Sequence, residues 1–150
     1  MRLVVDTSVL VGELLRERGR QRLADRHIDL YLPERMWHET LREIPRRAEA
    51  FGRHRGLNSD EISELSDRCL QVIALNCTVV AEAVYSAWED QARERSIRDP
   101  SDWPVVACAL ALDVGVWTTD RDFLGTGVPT WTTQTLDLWI QRTEASRSEH

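Results

Sequence analysis

Ser101-Asp102-Trp103-Pro104-Val105-Val106-Ala107-Cys108-Ala109-Leu110-Ala111-Leu112-Asp113-Val114-Gly115-Val116-Trp117-Thr118-Thr119-Asp120 is the stretch whose reading decides the fold. It predicts a helix whose first turn carries acids and whose body, Val105 to Leu112, is apolar on every side and therefore buried. Gly115 is expected to close that helix, and Val116-Trp117-Thr118-Thr119 to resume a strand that ends at Asp120.

Moving toward the N-terminus, residues 81 to 95 read as a helix with Ala83, Val84, Ala87, Trp88 and Gln91 along one side, preceded by a short strand at Thr78-Val79-Val80. Ser59-Asp60-Glu61-Ile62 resembles a capped helix start, after which Ile62, Leu65, Cys69, Leu70, Val72 and Ile73 recur at helical spacing. Ile28–Leu32 reads as a strand, Pro33 suits the first turn of the helix around Met36, Trp37, Thr40 and Leu41, and Pro45 should end or kink that helix. Arg2-Leu3-Val4-Val5 is a β-prone run that passes at Asp6-Thr7-Ser8 into a helix carrying Val9, Leu10, Leu14 and Leu15. Strands alternating with helices in this order predict a three-layer α/β/α sandwich with a central, mainly parallel sheet. Leu14, Leu15 and Leu23 are assigned either to its core or to the face of a homodimer.

A chain of 150 residues with 42% hydrophobic content supports one domain, placed at residues 1–143, with the Ser/Glu/Arg-rich segment 144–150 expected to be a flexible tail. Val105–Leu112 is the longest apolar run, far short of the roughly 18 residues that cross a bilayer, and Met1-Arg2-Leu3-Val4-Val5 meets Asp6 before any secretory apolar core develops. A cytoplasmic protein is expected. Cys69, Cys77 and Cys108 are three, with no CxxC pair, which fits reduced, packed thiols. The net charge of −6 argues against binding nucleic acid through a global basic field, so any such contact must be local. All 19 cationic side chains are arginine. That excludes chemistry resting on a P-loop, Schiff-base or kinase lysine. G-x-S-x-G, H-E-x-x-H and G-x-G-x-x-G are absent from the sequence, and His27, His38 and His54 read as surface or packing residues. Five of the six tryptophans, Trp37, Trp88, Trp103, Trp117 and Trp139, are expected to pack, with Trp103 also able to stack on a base.

Ligands of parallel sheets collect at the carboxyl ends of the strands. Asp6 and Asp120 each follow a predicted strand, and Asp102 opens the buried helix, so the three are expected at one rim of the sheet. Two carboxylates about 4 Å apart repel by roughly 4 kcal/mol at an effective dielectric of about 20, so such a group needs bound protons or divalent cations. Oxygen ligands favour Mg²⁺ or Mn²⁺, ions that acidify a water and stabilise a phosphodiester during in-line displacement. Against this, an isolated aspartate at a strand end or helix start is commonly a cap.

Asp6-Thr7-Ser8 after an N-terminal strand, Asp99-Pro100-Ser101-Asp102-Trp103-Pro104 opening an alanine-rich helix, and Trp117-Thr118-Thr119-Asp120-Arg121-Asp122-Phe123-Leu124-Gly125-Thr126-Gly127 together resemble the PIN-domain family over nearly the whole chain. The resemblance implies a Mg²⁺- or Mn²⁺-dependent endoribonuclease with four acidic positions, matched here by Asp6, Glu39, Asp102 and Asp120. Glu43, one turn after Glu39, is the alternative for the second, Asp99 competes with Asp102, and Asp122 supports the metal. Thr7, Ser8 and Thr118 would orient carboxylates or waters, and Arg98 and Arg121 would meet RNA phosphates. Stand-alone members of this kind include VapC-like toxins, dimeric and held inactive by an antitoxin peptide, which adds that role as a hypothesis. The alternative is a non-catalytic PIN-like module that binds RNA or protein.

Overall fold

A computed structural model describes residues 1–149. In chain order the elements are β1 (Arg2–Val5), α1 (Thr7–Leu14), α2 (Glu17–Leu23), β2 (Asp29–Pro33), α3 (Glu34–His54), α4 (Ser59–Asn76), β3 (Cys77–Val80), α5 (Glu82–Tyr85), α6 (Glu89–Arg95), α7 (Trp103–Leu112), β4 (Gly115–Trp117), β5 (Thr130–Trp131) and α8 (Thr133–Ser148). The strands form one sheet in the order β3-β2-β1-β4-β5 with every pairing parallel. Alternation along β1 divides the interior. Leu3 and Val5 face one core with α1 to α4 and α8, whereas Val4 faces a second core filled by α5 to α7. The result is the expected α/β/α sandwich. The chain leaves β1 toward β2 on one side and returns to β4 on the other, so a crevice opens at the carboxyl ends of β1 and β4.

Helix α7 is the buried helix, with Trp103 through Ala109 all inaccessible and contacts to β1, β2 and β4. Its end differs from expectation: Asp113, not Gly115, adopts the left-handed conformation (φ 54°) that stops the helix, a conformation Asp tolerates. Gly115 serves a separate purpose in β4. A Cβ there would stand 3.0 Å from the Pro129 carbonyl oxygen and 3.2 Å from the Trp131 ring, so the glycine admits β5, a two-residue strand too short to register as periodicity.

Four further expectations are corrected. Pro45, expected to end or kink α3, does not end it: the helix runs through to His54, with Pro45 facing solvent and Ile44 and Ala48 buried on either side. The helix expected over 81–95 is broken by a 3₁₀ turn at Ser86–Trp88, and its inward residues are Tyr85 and Ala92. Burying the Tyr85 ring removes more apolar surface than burying Val84 and Ala87, so that face turns outward with Val84 at 49% and Trp88 at 36% exposure. Helix α8 continues to Ser148, past the boundary at 143, and His150 lies outside the described residues. Leu14, Leu15 and Leu23 are core. The α4 cap is Asn58, which accepts from Glu61 N–H at 2.9 Å while Glu61 bonds back, one residue before the expected start.

Helices α1 and α2 cross where Gly19 meets Glu13, and a Cβ on Gly19 would lie 2.2 Å from the Glu13 carbonyl oxygen and 2.6 Å from its Cα. Main chain cannot yield there as a flexible side chain would. Gly19→Ala is expected to destabilise the fold by about 1–3 kcal/mol or more, read as a lower urea midpoint at unchanged slope; a midpoint within error of wild type would contradict this packing.

Candidate metal centre

Asp6 follows β1 directly, and its N–H donates to the Trp117 carbonyl of β4 at 3.0 Å. Its carboxylate does not cap α1. Instead Oδ2 accepts from Thr118 Oγ1 at 2.9 Å and from Ser8 Oγ at 3.1 Å. Thr118 Oγ1 in turn accepts the N–H of Asp120 at 2.9 Å, so one hydroxyl ties the acids at the ends of neighbouring strands. Asp120 Oδ1 accepts the Asp122 N–H at 2.9 Å, which shapes the turn after it.

Asp102 stands at the start of α7, again without capping it, and its Oδ2 is buried with no hydrogen-bond partner among the described residues. An orphaned carboxylate oxygen is costly unless something positive or protonated meets it. Burial, then the charges of Asp99, Asp6, Asp120 and Asp122, push the Asp102 carboxyl up to about 7. Burial also raises Asp6, with the Asp120 charge adding to it and the bonds from Thr118 and Ser8 opposing. Asp99 behaves differently, held low by the hydroxyl and N–H of Ser101, which it caps at 2.6 and 3.0 Å. One oxygen each of Asp99, Asp102 and Asp122 lie within 4.8 Å of one another.

The cavity at this rim has a volume of about 710 Å³. Asp6, Glu39, Glu43, Asp99, Asp102 and Asp120 all line it, so both pairs of alternatives converge on the same space. Asp122 stands behind the lining, joined to Asp120 through its N–H and to Arg98 Nε at 3.4 Å. Neither Arg98, engaged with that carboxylate, nor the exposed Arg121 lines the cavity. Its cationic wall is made by Arg35, Arg47 and Arg93, which sequence reading missed. A signal for two of them existed: Arg35, Glu39, Glu43 and Arg47 follow one another at intervals of four along α3, a spacing equally typical of a solvated salt-bridge stripe. Arg93 gave none, since it arrives from α6. Arg35 and Arg93 place their guanidinium groups 5.2 and 5.1 Å from the ring centre of Trp103, which is 3% exposed and so packs beneath the site. Thr7 Oγ1, also on the lining, is buried without a partner among the described residues.

The donor set fits a hard divalent cation: oxygens alone, several of them carboxylate, one orphaned and buried. Replacing Thr118 by Val removes the hydroxyl that orients Asp6 and receives the Asp120 N–H. The expected outcome is a 10- to 100-fold weaker response to Mg²⁺ or Mn²⁺, the usual cost of losing a group that orients ligands, measured by calorimetry; unchanged affinity would mean that Asp6 needs no such support.

The architecture and rim thus define an all-parallel α/β protein with a polyacidic cavity at the switch point of its sheet. A family model described as PIN domain matches residues 4–141, and the chain belongs to that family, whose members are in general metal-dependent nucleases. A search of curated proteins finds no match.

Proposed function

We propose that the chain is a Mg²⁺- or Mn²⁺-dependent endoribonuclease, with Asp6, Glu39, Asp102 and Asp120 as its metal-holding and catalytic acids. The observation that carries this reading is the convergence of six carboxylates on one cavity with an Asp102 oxygen buried and unpartnered among the described residues. Six carboxylates in one pocket repel one another unless protons or cations offset them, and an oxygen-only donor set suits divalent cations. Bound there, divalent cations would offset the charge of a phosphodiester and lower the pKa of a water.

The chain's own contribution is positioning. Thr118 and Ser8 hold Asp6 so that its carboxylate faces the cavity rim rather than capping α1. Asp122 and Asp99 add negative charge beside Asp102 and thereby increase its demand for a cation. Arg35 and Arg47, on the same helix as Glu39 and Glu43, and Arg93 from α6 set guanidinium groups beside the acids, where RNA phosphates would meet them, although Arg35 also pairs with Glu82 and Arg93 with Glu89. Glu43 and Asp99 remain the alternatives to Glu39 and Asp102. Arg98 and Arg121 lie outside the cavity lining and are assigned to the flanking strand of a longer RNA.

The toxin of a type II toxin–antitoxin pair, cytoplasmic and homodimeric, with an antitoxin peptide covering the cavity, is the finer version of this proposal. No helix among the described residues is long and apolar enough to cross a membrane. The test is incubation of purified protein with single-stranded and structured RNAs, and with matched DNA, in Mg²⁺, Mn²⁺ or EDTA. RNA cleavage that requires metal supports the proposal. Intact RNA together with no metal binding in calorimetry would leave a non-catalytic binding module.

A further inference from the structure

We propose that Arg95, the last residue of α6, is a positioning residue for the acidic centre, tying together the two segments that carry its acids; the proposal rests on the reading of that cavity as a metal centre. One segment, residues 96–102, follows α6 and brings Asp99 and Asp102, and the other, residues 118–129, follows β4 and brings Asp120 and Asp122. Among the described residues, two polar contacts join them. Arg98 reaches Asp122 at 3.4 Å with its side chain 64% exposed, a pair that solvent weakens and that occupies one of the acids. Arg95 acts differently. Its Nη1 donates to the Thr126 carbonyl at 3.0 Å, so it crosses between the segments without engaging a carboxylate.

The point that Arg95 grips is rigidly connected to the acids. Thr126 is buried, and its hydroxyl and N–H both donate to the Phe123 carbonyl, at 2.8 and 3.3 Å. Phe123, buried in the core that contains α7, donates its own N–H to the Asp120 carbonyl at 3.4 Å. A continuous chain of bonds therefore runs from Arg95 through Thr126 and Phe123 to Asp120, and onward from Asp120 Oδ1 to the Asp122 N–H. Gly127 makes room for it. Its φ of +78° is a left-handed conformation that glycine adopts freely, and a Cβ there would stand 2.7 Å from Arg95 Nη1, so only a glycine lets the guanidinium lie against this loop. Arg95 does not line the acidic cavity, so it acts through the loop and not on a ligand of the cavity. Acids on the two segments repel one another, and a tie that engages no carboxylate keeps them close while leaving their oxygens to a cation.

The test compares wild type with Arg95→Met, which keeps an apolar stem and removes the donors, and with Arg95→Lys, which restores a cationic donor. In metal-free Arg95→Met, deuterium exchange should be about tenfold faster over residues 121–128 and unchanged in β1. Calorimetric titration with Mn²⁺ should give an affinity about tenfold weaker, the usual cost of losing a group that orients ligands, with part of it recovered in Arg95→Lys. The direction of the change discriminates. Deleting a positive charge near a cation site would by itself strengthen cation binding, and loss of a merely structural contact would lower Tm and leave the affinity of the folded protein as it was. Gly127→Ala, whose Cβ displaces the guanidinium, should weaken Mn²⁺ binding in an otherwise wild-type chain and add little to Arg95→Met. Unchanged exchange over 121–128, or an Arg95→Met affinity equal to or above that of a Mn²⁺-binding wild type, overturns this proposal alone. A wild type that binds no Mn²⁺ overturns the metal centre and the positioning role together.

Discussion

Asp102→Asn is expected to lower metal-dependent RNA cleavage by about 10²- to 10⁴-fold, the equivalent of the several kcal/mol that a correctly held divalent ion contributes to a phosphoryl transition state. The same variant should melt higher than wild type in EDTA. In the metal-free protein, burial and the four neighbouring aspartates oppose the Asp102 charge, and an amide of the same shape removes that opposition. A carboxyl raised from 3.8 to about 7 binds its proton more tightly folded than unfolded. Wild-type stability therefore falls as pH rises from about 4 to about 7 and is level above that. Because Asp102 is partly exposed, solvent screening reduces the effect to about 1–2 kcal/mol, or roughly 2–8 °C. The Tm advantage of Asp102→Asn should thus be full at pH 7.5 and shrink toward pH 4, and Mg²⁺ should raise the Tm of wild type but not of the variant. Cleavage that survives the substitution would remove Asp102 from the proposed mechanism, and a lower Tm in EDTA would show that its carboxylate stabilises the fold.

Trp117→Ala is expected to cost about 3–5 kcal/mol, the largest effect of any single truncation proposed for this chain. Trp117 is fully buried in the core between β4 and the helices, and its indole N–H donates to Thr133 Oγ1 at 3.1 Å, so truncation leaves both a cavity and an unpaired hydroxyl. At roughly 2–4 °C per kcal/mol for a chain of this length, Tm should fall by about 6–20 °C. The damage should reach the site, because the Trp117 carbonyl receives the Asp6 N–H and Val5 pairs with Trp117 across β1 and β4. Trp88→Ala is the comparison. Lying on an exposed turn, it should change stability by no more than about 0.5 kcal/mol. Equal losses in the two variants would contradict the assignment of Trp117 to the core.

Local signals were enough for the architecture because they were strong and redundant. The run Val105–Leu112 has no polar side, and its residues have nowhere to go except between the sheet and another helix. Arg2–Val5 and Val116–Thr119 are short β-prone runs that each lead into an aspartate, which put Asp6 and Asp120 at expected strand ends, although β4 itself stops at Trp117. Signals failed where two outcomes differ by little locally. A proline on the solvent side of a helix, Pro45, is tolerated once Ile44 and Ala48 are buried beside it, and nothing near residue 45 encodes that burial. The helix over 81–95 turned the other way because Trp103, eighteen residues beyond Tyr85, offered that ring a partner at 6.0 Å between centres.

Sequence by itself therefore determined the layer order and the parallel sheet and supplied the candidate acids, since periodicity, chain reversals and residue chemistry are local properties. Only the tertiary structure decided which of those acids share a cavity, that Asp6 and Asp102 are not caps, and that Arg35, Arg47 and Arg93 rather than Arg98 and Arg121 line that cavity with them. It also decided that His27 keeps a buried nitrogen without a partner among the described residues. The physical reason is the same in each case: a hydrogen bond, a desolvated charge or an unpaired atom depends on what the chain brings from far away, and spacing along the sequence does not carry that distance.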